Sequence, residues 1–241
     1  MIRLPIAVGA LCLASPVAAQ GAHAWLDAAS DLRERGISMS GGRAGLAGGV
    51  GIGSEGPALD AMAITTRGAQ RHGGADLRAT VTGGYSARLA GSRLRGELAW
   101  RSFAGGRGPL NYWEGGAVAD TLIGPVTLAA GLHYAPSQRA LGGSLAYARI
   151  GADGGLPGLP WSLAAHVGRI SGETKDPLRA ARLRPDSTYI DWAIGLRRTA
   201  GPVLLSLTYS DTDIARGRTS LSRTLRSDAG AKVVARAGVD F

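Results

Sequence analysis

What this sequence lacks narrows its class before any motif is read. Its single cysteine, Cys12, excludes an internal disulfide and a thiolate metal site. Aromatic residues make up only 5% of the chain, and no apolar run reaches the roughly 20 residues that a membrane-crossing helix needs. No segment has the periodicity of a long amphipathic helix, and 38 glycines make long helices costly. Acidic residues are the minority charge, 18 against 27 lysines and arginines, for a formal net charge of +9. With 45% hydrophobic and 19% charged residues, the composition matches neither a disordered chain nor a helical membrane protein. A single β domain is the simplest reading.

The first residues read as an export signal. Arg3 is a lone cation, Leu4 to Ala14 are apolar, Pro16 breaks the run, and Val17-Ala18-Ala19 supply small residues for cleavage. The expectation is a signal peptide over residues 1–19, cleaved after about Ala19, with residues 20–241 as the mature domain. Cys12 follows Gly9-Ala10-Leu11, which is not a lipoprotein box, so the mature chain would hold no thiol. Loss of Arg3 takes the charge from +9 to +8. In an exported chain, such a balance points to lipopolysaccharide phosphates, a basic pore lining or anionic solutes rather than to nucleic acid.

What is present in the mature chain is period-two alternation in segments of about ten residues, separated by Gly, Pro, Ser and Asp turns. At the C-terminus Val233, Ala235, Ala237, Val239 and Phe241 share one face, while Lys232, Arg236 and Asp240 share the other. Leu94, Leu98 and Trp100 alternate in the same way with Arg93, Arg95, Glu97 and Arg101. The pattern predicts strands over 24–37, 43–53, 58–67, 75–86, 92–104, 111–122, 125–135, 142–151, 161–170, 188–199, 202–213 and 229–241. The fold class expected is all-β, an antiparallel up-and-down transmembrane barrel of about twelve strands. The segments 43–53, 58–67, 111–122 and 142–151 alternate poorly, which leaves ten as the lower count. A soluble barrel would alternate too, with the opposite face inward, and alternation alone does not separate the two.

Connection lengths and aromatics bear on orientation. Connections such as Ile123-Gly124 and Ala200-Gly201 are short, as periplasmic turns are, whereas Ser171 to Ser187 and Ile214 to Asp228 are long and polar. Trp25, Tyr85, Trp161 and Phe241 would fall at periplasmic strand ends. Phe103, Tyr112, Trp113, Tyr134, Tyr189 and Tyr209 would fall at outer ends, giving two girdles. Trp100 and Trp192 would face lipid between them.

In this register the candidate pore-lining residues are Asp31, Arg33, Arg35, Arg78, Arg93, Arg95, Glu97, Arg101, Glu114, Asp191, Arg197, Lys232 and Arg236, with Asp27, Asp120 and Asp240. Cations outnumber anions, so an open lumen would mildly favour anions. The alternative is that these charges pair across strands and fill a narrow lumen. His23, His72, His133 and His166 form no local ligand cluster, and no cofactor is implied. A lipase would need Ser and His together on the lipid-facing rim, whereas His166 points inward, and His72 near Asp76 makes no protease set. No enzyme is expected. Arg179, Arg182, Arg184, Arg216, Arg218, Arg223 and Arg226 in the long loops are candidates for lipopolysaccharide phosphates, with a solvated loop as the equal alternative.

The run Ser30-Asp31-Leu32-Arg33-Glu34-Arg35-Gly36-Ile37-Ser38-Met39-Ser40 resembles the S-D-Y-R-F-R-G-hydrophobic-S-x-S mark of the TorF-type porins, an outer-membrane family of proteobacteria. Gly124-Pro125-Val126-Thr127-Leu128, Tyr134-Ala135-Pro136-Ser137, Gly158-Leu159-Pro160-Trp161-Ser162-Leu163, Asp191-Trp192-Ala193-Ile194-Gly195-Leu196 and Leu205 to Asp213 are similar in order and spacing. Leu32 and Glu34 depart from the family's aromatics, and Glu34 would face lipid unless the first strand has already left the bilayer. The resemblance implies location more firmly than a solute. The function expected is a porin-like channel for passive diffusion of small hydrophilic solutes. The rival is a non-conducting structural or lipopolysaccharide-contacting barrel. The partners expected are outer-membrane lipid and lipopolysaccharide, and the barrel-assembly machinery through the strand ending at Phe241. The barrel is expected to be monomeric.

Overall fold

The computed structural model describes residues 21–53, 55–214 and 228–241. The expected leader with Arg3 and Cys12, and Arg216, Arg218, Arg223 and Arg226 of the last loop, lie outside the described residues.

Period-two alternation becomes a wall of long antiparallel strands. These are β1 (His23–Ala29), β4 (Gly45–Ile52), β5 (Gly56–Thr65), β6 (Leu77–Leu89), β7 (Ser92–Ala104), β8 (Tyr112–Ile123), β9 (Val126–Gln138), β10 (Gly143–Gly155), β11 (Ser162–Ser171), β12 (Tyr189–Ala200), β13 (Val203–Thr212) and β14 (Lys232–Asp240). Each pairs with its sequence neighbour, and β1 pairs with β14 to close a twelve-stranded barrel. The closing register sets Trp25 opposite Asp240 and Ala29 opposite Arg236, and the Phe241 N–H donates to the Ala24 carbonyl at 2.8 Å. The four poorly alternating segments are β4, β5, β8 and β10, so the ten-strand count is excluded.

The first strand is shorter than the alternation predicts. It ends at Ala29, and residues 30–44 turn into the lumen around a small hairpin, β2 (Arg33–Glu34) and β3 (Ile37–Ser38). Its two-residue turn has Arg35 at φ 51° and Gly36 at φ 75°, the paired positive values that a tight hairpin turn requires. Asp31, Arg33 and Arg35 therefore belong to an inserted hairpin and not to the barrel wall.

Wall polarity separates the two kinds of barrel that alternation leaves open. Leu26, Leu98, Leu132, Ile150, Ile194, Leu207 and Val233 are exposed on the outer surface, while arginines and carboxylates point into the lumen. An apolar exterior around a polar interior suits a barrel surrounded by lipid. Trp100 and Trp192 are exposed on that exterior. The girdles are thinner than predicted, because Phe103, Tyr112 and Tyr189 are buried inside, on the same face as Arg101, Glu114 and Asp191, and Trp25 shares the inward face of Asp27. Trp113, Tyr134 and Tyr209 remain outside near one end, and Tyr85, Trp161 and Phe241 near the other.

The two ends differ as expected. One, here the turn end, has the tight connections 90–91, 124–125 and 201–202, while the other, the loop end, carries 30–44, 66–76, 105–111, 172–188 and the described residues 213–214 and 228–231.

Candidate functional site

The loop-end half of the lumen is filled, and the hairpin is its centre. Arg35 donates to Glu114 Oε1 at 2.5 Å and stacks over the Tyr147 ring, 4.7 Å from its centroid. Arg101 reaches both Glu34 (2.6 Å) and Glu114 (3.0 Å), and Arg78 holds the other oxygen of Glu34. Two carboxylates and three guanidiniums are thus interleaved, which is what makes their burial tolerable. Glu34 answers the lipid-facing problem by sitting in this lumenal network. Burial works to raise its carboxyl, but Arg101, Arg78 and Arg35 hold it well below the usual carboxylate range.

Every other side of the hairpin is also tied down. Ser38 donates to the fully buried Asp31 at 2.5 Å, and its N–H donates to the Asp228 carbonyl at 2.8 Å. Arg33 donates to the Gly230 carbonyl at 2.9 Å, and the Tyr189 hydroxyl donates to the Arg35 carbonyl at 2.9 Å. Lys232 lies 3.5 Å from Asp31. Gly36 faces β12 and β13 so closely that a Cβ there would lie 2.5 Å from Thr212 Cγ2 and 2.7 Å from Asp191 Cβ.

Above the hairpin the loops lace to one another through arginine. Arg182 donates to the Leu110 and Ala140 carbonyls at 3.0 and 3.1 Å, and Arg71 donates to the Arg182 carbonyl at 2.8 Å. Arg184 donates to Gly172 and Glu173 carbonyls at 2.8 and 2.7 Å. Arg182 and Arg184 are buried, which removes them as lipopolysaccharide contacts, whereas Arg179 is half-buried beside Asp176. His72 is fully buried and stacks on Phe103 at 5.2 Å. Burial, reinforced by Arg182 and Arg71, pushes its imidazole down to about 3, so it is neutral.

The turn-end half is open. A cavity of about 680 Å³ is lined there by His133, Arg149, His166, Arg197, Thr208 and Arg236 among others. The charges of this half also pair, and apart from the buried Asp27 they are partly exposed: Arg93 with Asp120 at 3.0 Å, Arg95 with Asp60 at 2.7 Å and Glu97 at 3.1 Å, Arg197 with Asp153 at 2.5 Å, and Arg236 with Asp27. At its floor His166 Nε2 lies 3.0 Å from the buried Asp191, and Tyr147 donates to the same carboxylate at 3.5 Å.

The candidate residues thus fall into two sets. Asp31, Arg33, Arg35, Arg78, Arg101, Glu114 and Asp191 are in or against the plug, with Lys232 at its edge. Arg197 and Arg236 line the cavity, while Arg93, Arg95 and Glu97 share the inward parity of Arg101 on β7, toward the turn end. Asp60, Arg149 and Asp153 face the same lumen but escape the sequence pattern, because β5 and β10 alternate poorly. Among the described residues no group of His, Cys, Asp or Glu converges to hold a metal ion.

Solved outer-membrane proteins share this architecture. The KdgM porin superposes with a TM-score of 0.54 at 9% identity, over 90% of this chain and 98% of the porin. An outer-membrane channel of Pseudomonas putida F1 superposes with a TM-score of 0.51 at 11% identity, over 92% of this chain and 96% of the channel. At such identities the likeness shows a common fold. No curated protein matches the chain. Residues 14–237 match the family described as "Bacterial protein of unknown function (Gcw_chp)", and the chain belongs to that family.

Proposed function

We propose that this protein is a porin-like barrel of the outer membrane, through which small hydrophilic solutes diffuse passively with a mild preference for anions. Its path is shut at the loop end by the inserted hairpin. The observation that carries this reading is a polar lumen divided in two, an open cavity of about 680 Å³ beneath a plug of buried ion pairs. Opening requires the hairpin to leave Glu114, Arg78 and Arg101, and conduction is rare while it stays. The chain carries no catalytic role in this reading. Export through residues 1–19, assembly through the strand ending at Phe241, contact with lipopolysaccharide and a monomeric state complete the proposal, and the resemblance to TorF-type porins is in keeping with it.

A second reading has a specific observation in its favour. The hairpin is bonded on every side, as a permanent filling would be, which suits a non-conducting structural barrel. Planar-bilayer recording of the whole protein and of a variant with residues 31–42 replaced by a Gly-Ser linker separates the two. Steady conductance in the folded variant, against brief openings in the wild type, supports the gated porin. A variant that shows heat-modifiable gel mobility and still stays at the lipid baseline overturns it in favour of the structural barrel.

A further inference from the structure

Arg149 differs from the paired inward-facing arginines of the turn-end half. Arg93, Arg95, Arg197 and Arg236 each have a carboxylate partner. Arg149 shares the inward face of β10 with Tyr147 and Asp153 and is exposed to the cavity. It has no ion pair or hydrogen bond among the described residues. The register explains its isolation. Directly opposite it stand Gly131 on β9 and Gly168 on β11, neither of which has a side chain to answer a guanidinium. The diagonal positions are His133 and His166, whose backbones lie about 7–8 Å away in such a geometry. Both rings are already engaged, His166 with Asp191 and His133 against Tyr147.

An unanswered cation in a narrow aqueous cavity with low-dielectric walls concentrates anions at that point. Small apolar residues line part of the same cavity: Val118 stands across Gly131 from Arg149, Ala129 is the next inward position on β9, and Ala193 lies on β12. The cavity volume falls in the range of roughly 300–1,000 Å³ usual for small-molecule sites. We propose that this cavity is a binding subsite for a small organic carboxylate, with Arg149 forked onto the carboxylate and the apolar body lying against Val118, Ala129 and Ala193. A guanidinium suits this task because its parallel N–H groups match the two carboxylate oxygens. The proposal rests on reading the lumen as a compartment that solutes enter, but it does not require that they cross.

Calorimetric titration of the folded, detergent-solubilised protein tests it with benzoate, its neutral isostere benzamide, and inorganic phosphate. Benzoate should bind saturably at one site, and benzamide about tenfold more weakly. Arg149→Gln should lose benzoate binding by about tenfold or more, and Arg149→Lys should fall between, because it keeps the charge without the fork. Equal binding of benzoate and benzamide, or an unchanged affinity in a folded Arg149→Gln, overturns the subsite. Phosphate binding as tightly as benzoate overturns the assignment to a carboxylate with an apolar body. Because the titration needs no current, Arg149-dependent binding by a protein that never conducts would sink the porin reading and leave this one standing. Conduction without such binding would do the reverse.

Discussion

At the loop end, Arg101 meets Glu114 at 3.0 Å with 12% and 1% of the two side chains exposed. At the turn end, Arg197 meets Asp153 at 2.5 Å with 40% and 39% exposed. The chemistry of the pairs is the same and their surroundings are not. Water around the turn-end pair solvates either partner alone, so such a pair is worth little. Around the loop-end pair the rest of the lumen is protein, and a guanidinium deprived of its carboxylate has no water to turn to. The hairpin thus converts ordinary lumenal ion pairs into a cohesive plug by excluding solvent from them.

The largest test of this contrast is Glu114→Gln. It leaves Arg35 without its carboxylate and Arg101 with Glu34 alone, and loss of one partner from a buried pair costs about 3–5 kcal/mol. The urea midpoint in detergent should fall accordingly, and brief openings in bilayer recordings should lengthen. A midpoint within error of the wild type would mean that water already reaches this network.

Gly36→Ala attacks the plug by shape instead of charge. The turn holds Gly36 at φ 75°, where a side chain costs about 1–3 kcal/mol, and the new Cβ would press on Thr212 and Asp191. The hairpin should loosen while the wall stays intact. Hydrogen exchange at the Ser38 and Met39 amides, bonded to the Asp228 and Leu32 carbonyls, should quicken without change in the β9 and β10 amides. Uniform acceleration would show that hairpin and wall unfold together.

His72 gives the loop end a pH dependence. Its folded value of about 3 lies below the ordinary 6.5, so the folded state binds fewer protons than the unfolded one between these limits. Stability therefore falls as pH drops from about 6.5 toward 3, at roughly 1.4 kcal/mol per unit once well below 6.5. Glu34 acts in the same direction at lower pH: its carboxyl is also depressed in the folded state, so the stability it contributes is complete above the ordinary carboxylate range and declines as the pH falls below it. Protection of the 66–76 amides should decline between pH 6 and 4, and His72→Phe should flatten that decline. An equal slope in the variant would place the titrating group elsewhere.

These contrasts also explain what could be read from sequence. Strand number is legible because an apolar exterior and a polar lumen impose alternation on most wall strands, and turn chemistry marks the ends of those that alternate poorly, β4, β5, β8 and β10. The hairpin is not legible that way. Asp31, Arg33 and Arg35 continue the parity of Asp27, so period alone extends the strand to Ile37. What takes the chain inward is the Arg35-Gly36 turn and partners far along the sequence, Glu114, Arg78 and Arg101, which meet only once the barrel has closed. Glu34 was the local warning, since an acid on a lipid-facing position signals that the strand has left the wall. For the aromatics, position along a strand misleads without its face: Phe103 and Tyr112 sit at outer strand ends yet share parity with Arg101 and Glu114. Arg149 was hidden because β10 alternates poorly, and its lack of a partner shows only once Gly131 and Gly168 stand opposite it in the barrel.

The smallest expected effect is the sharpest control on the comparison. Asp153→Asn takes the carboxylate from Arg197 at the turn end just as Glu114→Gln takes one from Arg35 and from Arg101 at the loop end, where Arg101 keeps Glu34. Because both members of the turn-end pair are well exposed, the urea midpoint should move by no more than about 1 kcal/mol in equivalent stability. The charge change should register instead in permeation. In the background lacking the hairpin, one more unanswered cation in the lumen should shift the reversal potential toward anions, and raising the salt should erase the shift as screening shortens the reach of the field. If Asp153→Asn costs as much stability as Glu114→Gln, solvent does not separate the halves, and the plug owes its cohesion to packing by Tyr112, Tyr189 and Phe103 rather than to its ion pairs.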